Sequence, residues 1–70
     1  MVGMDFVMSN DAAARDAAGE LERGGRSATL RTGEGPDGAD LLSVETGPDD
    51  AREVEMIVMN LDPDARPLDA

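Results

Sequence analysis

Residues 2–25 read VGMDFVMSNDAAARDAAGELERGG, and this stretch decides the fold. Val2, Met4, Phe6 and Met8 alternate with Gly3, Asp5 and Val7. A period of two marks a strand with one buried face. Ser9, Asn10 and Asp11 then supply the short polar side chains that cap a helix start. Beyond them the period lengthens. Ala14, Ala17, Ala18 and Leu21 share one helical face, while Arg15, Asp16, Glu20 and Glu22 fall on the other. Gly24-Gly25 stops the helix, because glycine takes the left-handed backbone that ends one. A strand followed by a helix is therefore expected over the first third of the chain.

Working outward, Arg26 to Thr32 reads as a second strand, with Ala28 and Leu30 on one face and Ser27, Thr29 and Arg31 on the other. Gly33-Glu34-Gly35-Pro36-Asp37-Gly38 is turn chemistry. Ala39 to Thr46 reads as a third strand, Leu42 and Val44 facing one way and Leu41, Ser43 and Glu45 the other. These two strands are expected to form a hairpin. Gly47-Pro48 breaks the third strand, and Asp49-Asp50 opens a second helix. Asp50 and Glu53 have capping-box spacing. Ala51, Val54, Ile57, Val58 and Leu61 form its apolar stripe. The run 54–61 is also readable as a buried strand, but its length, cap and spacing favour the helix. Asp62-Pro63 ends it, and Ala65 to Asp69 is expected to add a short edge strand or to fray.

The order strand, helix, strand, strand, helix, stub predicts one α+β domain over residues 1–70: a ferredoxin-like β-α-β-β-α(-β) two-layer sandwich. A right-handed crossover would set strand three between strands one and two, antiparallel to both, with both helices on one face. Within this α/β plait class the chain resembles the heat-induced, general-stress-protein type of domain. The carrying stretches are residues 7–14 followed by 19–25, and residues 38–44 followed by Asp50-Ala51 and Ile57-Val58. The small bacterial inhibitor family that binds ribonuclease E is similar over the first two strands. The chain departs from both in its stub of a fourth strand and its missing aromatics. The resemblance implies a non-catalytic domain linked to stress or regulation, and it brings no functional residues with it.

Composition removes most chemistry. Sixteen acids face six arginines, and the chain has no Lys, His, Cys, Trp or Tyr. Without imidazole, thiolate or amine there is no ordinary zinc site, no Ser-His-Asp triad, no cysteine nucleophile and no Schiff-base lysine. The net charge of −10 disfavours nucleic acid, whose binding needs cations to replace counterions. It equally disfavours an anionic membrane surface. No stretch approaches the ~20 apolar residues of a membrane span. Met1 to Met8 has no basic segment of a signal peptide, so a cytoplasmic protein is expected. Loss of lysine with gain of acid fits a halophilic source, and a GC-rich genome is the plainer alternative. In molar salt the Debye length falls to about 3 Å, which screens self-repulsion. Equal melting temperatures in low and molar KCl would contradict the halophilic reading.

Seventy residues bury only about 60% of the surface the unfolded chain exposes, which makes the fold marginal alone. With no disulfide and no ordinary zinc site, oligomerisation or help from solvent salt is the expected support. The core material is light: one aromatic, Phe6, plus Met4, Met8, Met56, Met59 and small aliphatics. Met56 and Met59 flank the second helix's apolar stripe as filler or as a contact surface. Residues 33–38 lack the Lys and Ser/Thr of a phosphate-binding loop, so they read as a plain hairpin turn. Glu34, Asp37 and Asp40, and the pair Asp62 and Asp64, read as solvated acids rather than a cation site. Asp49-Asp50 and Glu53-Glu55 read as helix-start charge rather than a catalytic pair. No catalytic, cofactor or metal residue is assigned.

The outer sheet face is the remaining candidate. Asp5, Val7, Thr29, Arg31, Leu41, Ser43 and Glu45 are expected to point away from the helices. Plaits that bind RNA carry stacking aromatics and basic residues there; this face has neither in quantity. Val7, Thr29, Arg31, Leu41 and Ser43 read either as an interface, giving a homodimer or a contact with another protein, or as a plain solvated sheet face. The rival is an acidic inhibitor or adaptor that imitates nucleic acid toward a basic protein. A small-ligand or metal-handling enzyme is the weakest alternative.

Overall fold

The computed structural model describes residues 2–68, and of Val2 only the backbone. Strand β1 (Val2–Met8) leads to helix α1 (Asp11–Arg23) and strand β2 (Ser27–Arg31). A 3-10 turn at Pro36–Gly38 precedes strand β3 (Asp40–Thr46), and a second at Pro48–Asp50 precedes helix α2 (Ala51–Leu61). A two-residue strand β4 (Arg66–Pro67) closes the order. The fold is α+β: a four-stranded antiparallel sheet with two helices, compatible with the expected plait. The strands lie in the order β2-β3-β1-β4, so β3 sits between β1 and β2 as the sequence leads one to expect.

Local chemistry explains the boundaries. Asn10 caps α1, its Oδ1 accepting from Ala13 N at 2.8 Å. At the other end Gly25 takes φ 86°, a backbone that costs a non-glycine residue roughly 1 kcal/mol or more. This lets Gly25 N reach Glu22 O at 3.0 Å and Arg26 N reach Leu21 O at 3.0 Å, the paired bonds of a Schellman stop. Arg26 thereby leaves the helix already turned toward β2. The fourth strand forms rather than frays: Pro67 pairs with Phe6 and Arg66 with Val7, and Leu68 N donates to Asp5 O at 2.8 Å. Pro67 is tolerable there because β4 is an edge. Asp69, the last residue of that expected strand, lies outside the described residues.

The core lies between the helices and one sheet face. It joins Phe6 and Met8 of β1, Leu42 and Val44 of β3, Ala14, Ala17 and Leu21 of α1, and Val54 and Val58 of α2. Met4, Ala18, Ala28, Leu30, Ile57 and Met59 pack around it. The period-two and period-3.6 readings therefore select the right faces. The two flanking methionines divide: Met59 packs on the core, whereas Met56 is 59% exposed.

Three expectations need correction. Leu61, assigned to the buried stripe, is 41% exposed, because it is the last helical residue before the chain turns away. Asp50 does not cap α2 with its side chain. Its carboxylate accepts instead from Arg26 Nε at 2.6 Å, Arg26 Nη2 at 2.9 Å and Thr46 Oγ1 at 3.0 Å. A bidentate charge-assisted bond to a half-buried guanidinium is stronger than a bond to a neutral backbone amide, so it wins the carboxylate. Glu53, the other half of the expected box, also turns to Arg26, at 3.2 Å. Finally, Asp62 is no solvated acid but one of the two buried polar side chains among the described residues.

Candidate functional site: the open face of the sheet

Strand register places the outward side chains in rows. Paired residues in an antiparallel ladder share a face, and alternate residues share it along each strand. One row runs Arg66, Val7, Leu41, Arg31 across β4, β1, β3 and β2. The next runs Asp5, Ser43, Thr29, with Leu68 beside Asp5 at the β4 edge. A third runs Gly3, Glu45, Ser27. The five residues proposed from sequence, Val7, Thr29, Arg31, Leu41 and Ser43, thus fall in two adjacent rows on one surface.

The apolar pair is central. Val7 is 9% exposed although no helix covers it, flanked by Leu41 on one side and Arg66 on the other. Leu41 and Ser43 are half-buried, and Asp5, Thr29, Arg31, Glu45 and Arg66 are exposed. Ser43 Oγ donates to Asp5 Oδ1 at 2.6 Å, a bond across the β1–β3 ladder. Leu68, 40% exposed, extends the apolar surface at the edge.

Arg66 changes the charge balance of this face. Without it the face reads as one arginine against two acids. With it, the described residues carry two arginines, Arg31 and Arg66, against Asp5 and Glu45. The face is charge-balanced in a chain of net charge −10. Among the described residues neither arginine makes an ion pair, whereas Arg15, Arg23 and Arg26 are paired with Asp11, Glu20 and the Asp50–Glu53 group. Arg66 escaped the sequence reading because a two-residue strand carries no periodicity. Only its register with Val7 assigns it a face.

The remaining polar clusters serve the scaffold. The Arg26 bond holds the Asp50 carboxyl well below the usual carboxylate range, against burial, which acts the other way. Asp62 accepts from Ser9 N at 2.8 Å, Ser9 Oγ at 2.6 Å and Asp64 N at 3.2 Å. Burial pushes its pKa up, but the Ser9, Asp64 and Ala65 bonds together bring it below the usual value. Both acids stay ionised and both are spent on protein donors. In the 33–38 turn, Glu34 and Asp37 are exposed, and the Asp40 carboxylate accepts from Gly33 N at 3.0 Å. Among the described residues no three acid side chains gather closely enough to hold a metal ion.

Comparison with protein-family models and with curated proteins finds no match for the chain. No helix among the described residues is long and apolar enough to cross a membrane.

Proposed function

We propose that this domain is a non-catalytic protein that acts through protein–protein contacts, with the open sheet face as its contact surface and a second copy of the chain as the occupant. One observation carries the reading: the face bearing Val7 and Leu41 is charge-balanced while the chain as a whole is strongly acidic. Elsewhere the acids make close approach of another copy costly, and molar salt reduces that cost. A small domain with one aromatic and no covalent staple also gains most from a partner subunit. The two clearly shifted carboxyls, Asp50 and Asp62, move downward, whereas a general acid needs an upward shift. The strand order supports assignment to the ferredoxin-like plaits, while the stress- or regulation-linked role rests on the resemblance of the sequence alone. The acid-for-lysine composition supports a halophilic source.

The rival is an acidic adaptor that meets a basic partner through α1, whose Asp16, Glu20 and Glu22 are exposed. Two variants separate the readings. Leu41→Arg is expected to convert a dimer to a monomer while far-UV circular dichroism stays unchanged, because Leu41 lies outside the core cluster. Neutralising Asp16, Glu20 and Glu22 together is expected to leave the mass unaltered. A mass that Leu41→Arg leaves unchanged, in light scattering behind size exclusion, would contradict the open face as the contact surface.

A further inference from the structure

We infer that Met56 is an oxidation site, where a small uncharged hydroperoxide converts the thioether to a sulfoxide while the fold stays intact. The same reaction on Met8 takes the fold apart. The chain has no cysteine, so its five methionines are its only sulfur chemistry. Four of them lie among the described residues, and burial grades them. Met56 is 59% exposed, Met4 and Met59 are half-buried against the core, and Met8 is 3% exposed within it. Susceptibility to oxidation follows exposure.

The helix makes Met56 tolerant of the change. At 100° per residue it lies across α2 from Val54 and Val58, the two buried positions of that helix. Its neighbours one turn away, Arg52, Glu53 and Asn60, are exposed. An oxygen added here points into water and leaves no polar group buried. Met59, also one turn away, packs on the core instead and is therefore shielded. Met8 shares the core cluster with Phe6, Leu42 and Val58. An oxygen there is a new acceptor among apolar side chains, which costs stability unless a donor reaches it. In the reaction the sulfur gives two electrons to one peroxide oxygen. An S–O bond forms, the O–O bond breaks, and the second oxygen leaves as water with the transferred proton. The net charge of −10 holds anionic oxidants off and does not act on an uncharged hydroperoxide.

The test is a timed exposure of the full chain to hydrogen peroxide in molar KCl, with oxygen uptake at each methionine assigned by peptide mapping in a mass spectrometer. The same exposure in urea gives the rate of each site without the fold. Met56 is expected to react in the folded chain within about threefold of its unfolded rate, and Met8 at least about tenfold slower than its own, because Met8 waits on opening of the fold. Far-UV circular dichroism is expected to hold while Met56 is oxidised and to fall as Met8 follows. Methionine sulfoxide reductases for the two epimers are expected to restore Met56. A Met8 or Met59 that reacts as fast as Met56, or a circular dichroism signal lost on oxidation of Met56 alone, would overturn the assignment. Glutamine imitates the polar product without peroxide. Met56→Gln is expected to unfold at the urea midpoint of wild type and Met8→Gln at a lower one; equal midpoints for the two variants would equally overturn it.

Discussion

Phe6→Ala is expected to leave the chain without a cooperative folded state in low salt. Phe6 is the single aromatic and is fully buried, and it faces Leu42 across the β1–β3 ladder at the middle of the core cluster. Replacing a buried phenylalanine by alanine costs about 3–5 kcal/mol through lost transfer energy and the cavity left behind. The whole stability of a domain this size is of order 4–10 kcal/mol. The surrounding side chains are Val, Ala, Met and Leu, and no second ring stands near to fill the space. Methionine can adapt to part of the cavity, so Phe6→Met is expected to retain the fold with a loss of about 1 kcal/mol. Urea unfolding followed by far-UV circular dichroism checks both. A Phe6→Ala chain that melts cooperatively within about 1 kcal/mol of wild type would show that the core lies elsewhere.

Asp62→Ala carries the second largest expected effect, about 1–3 kcal/mol. The carboxylate joins the β1–α1 turn to the end of α2, more than fifty positions apart in sequence, and satisfies Ser9 N, Ser9 Oγ and Asp64 N while itself 3% exposed. Removing it strands those donors. The pH dependence has a definite sign. The folded pKa of Asp62 lies below its ordinary value, as does that of Asp50. Such groups stabilise the fold fully above the unfolded carboxyl pKa near about 4, and the contribution is lost as pH falls through the folded value. Wild type is therefore expected to lose stability on acidification below about pH 4, and Asp62→Asn to lose less over the same interval. Urea midpoints at neutral and acid pH measure this. Parallel pH profiles for the two chains would contradict the role given to Asp62.

The regular elements were legible because each rests on a local period. Alternation from Met4 to Met8 and the Ala14–Ala17–Leu21 spacing name their own buried faces, and Gly24-Gly25 names its own stop. The outward face was legible for the same reason, since alternate residues must share it. What escaped depends on long-range partners. Asp50 has a capper's position, yet Arg26, twenty-four residues away, takes its carboxylate. Asp62 looks like a surface acid before a proline until Ser9 arrives from the far end of β1. Arg66 belongs to the open face only through its pairing with Val7, and it alters the charge balance on which the functional reading rests.

The most direct test of that reading is the solution mass of the wild-type and Leu41→Arg chains, by light scattering in low salt and again in molar KCl. The account predicts a wild-type dimer in molar KCl and a folded Leu41→Arg monomer in the same buffer. A folded wild-type monomer in both salts, or a dimer indifferent to Leu41→Arg, would contradict the open face as the contact surface.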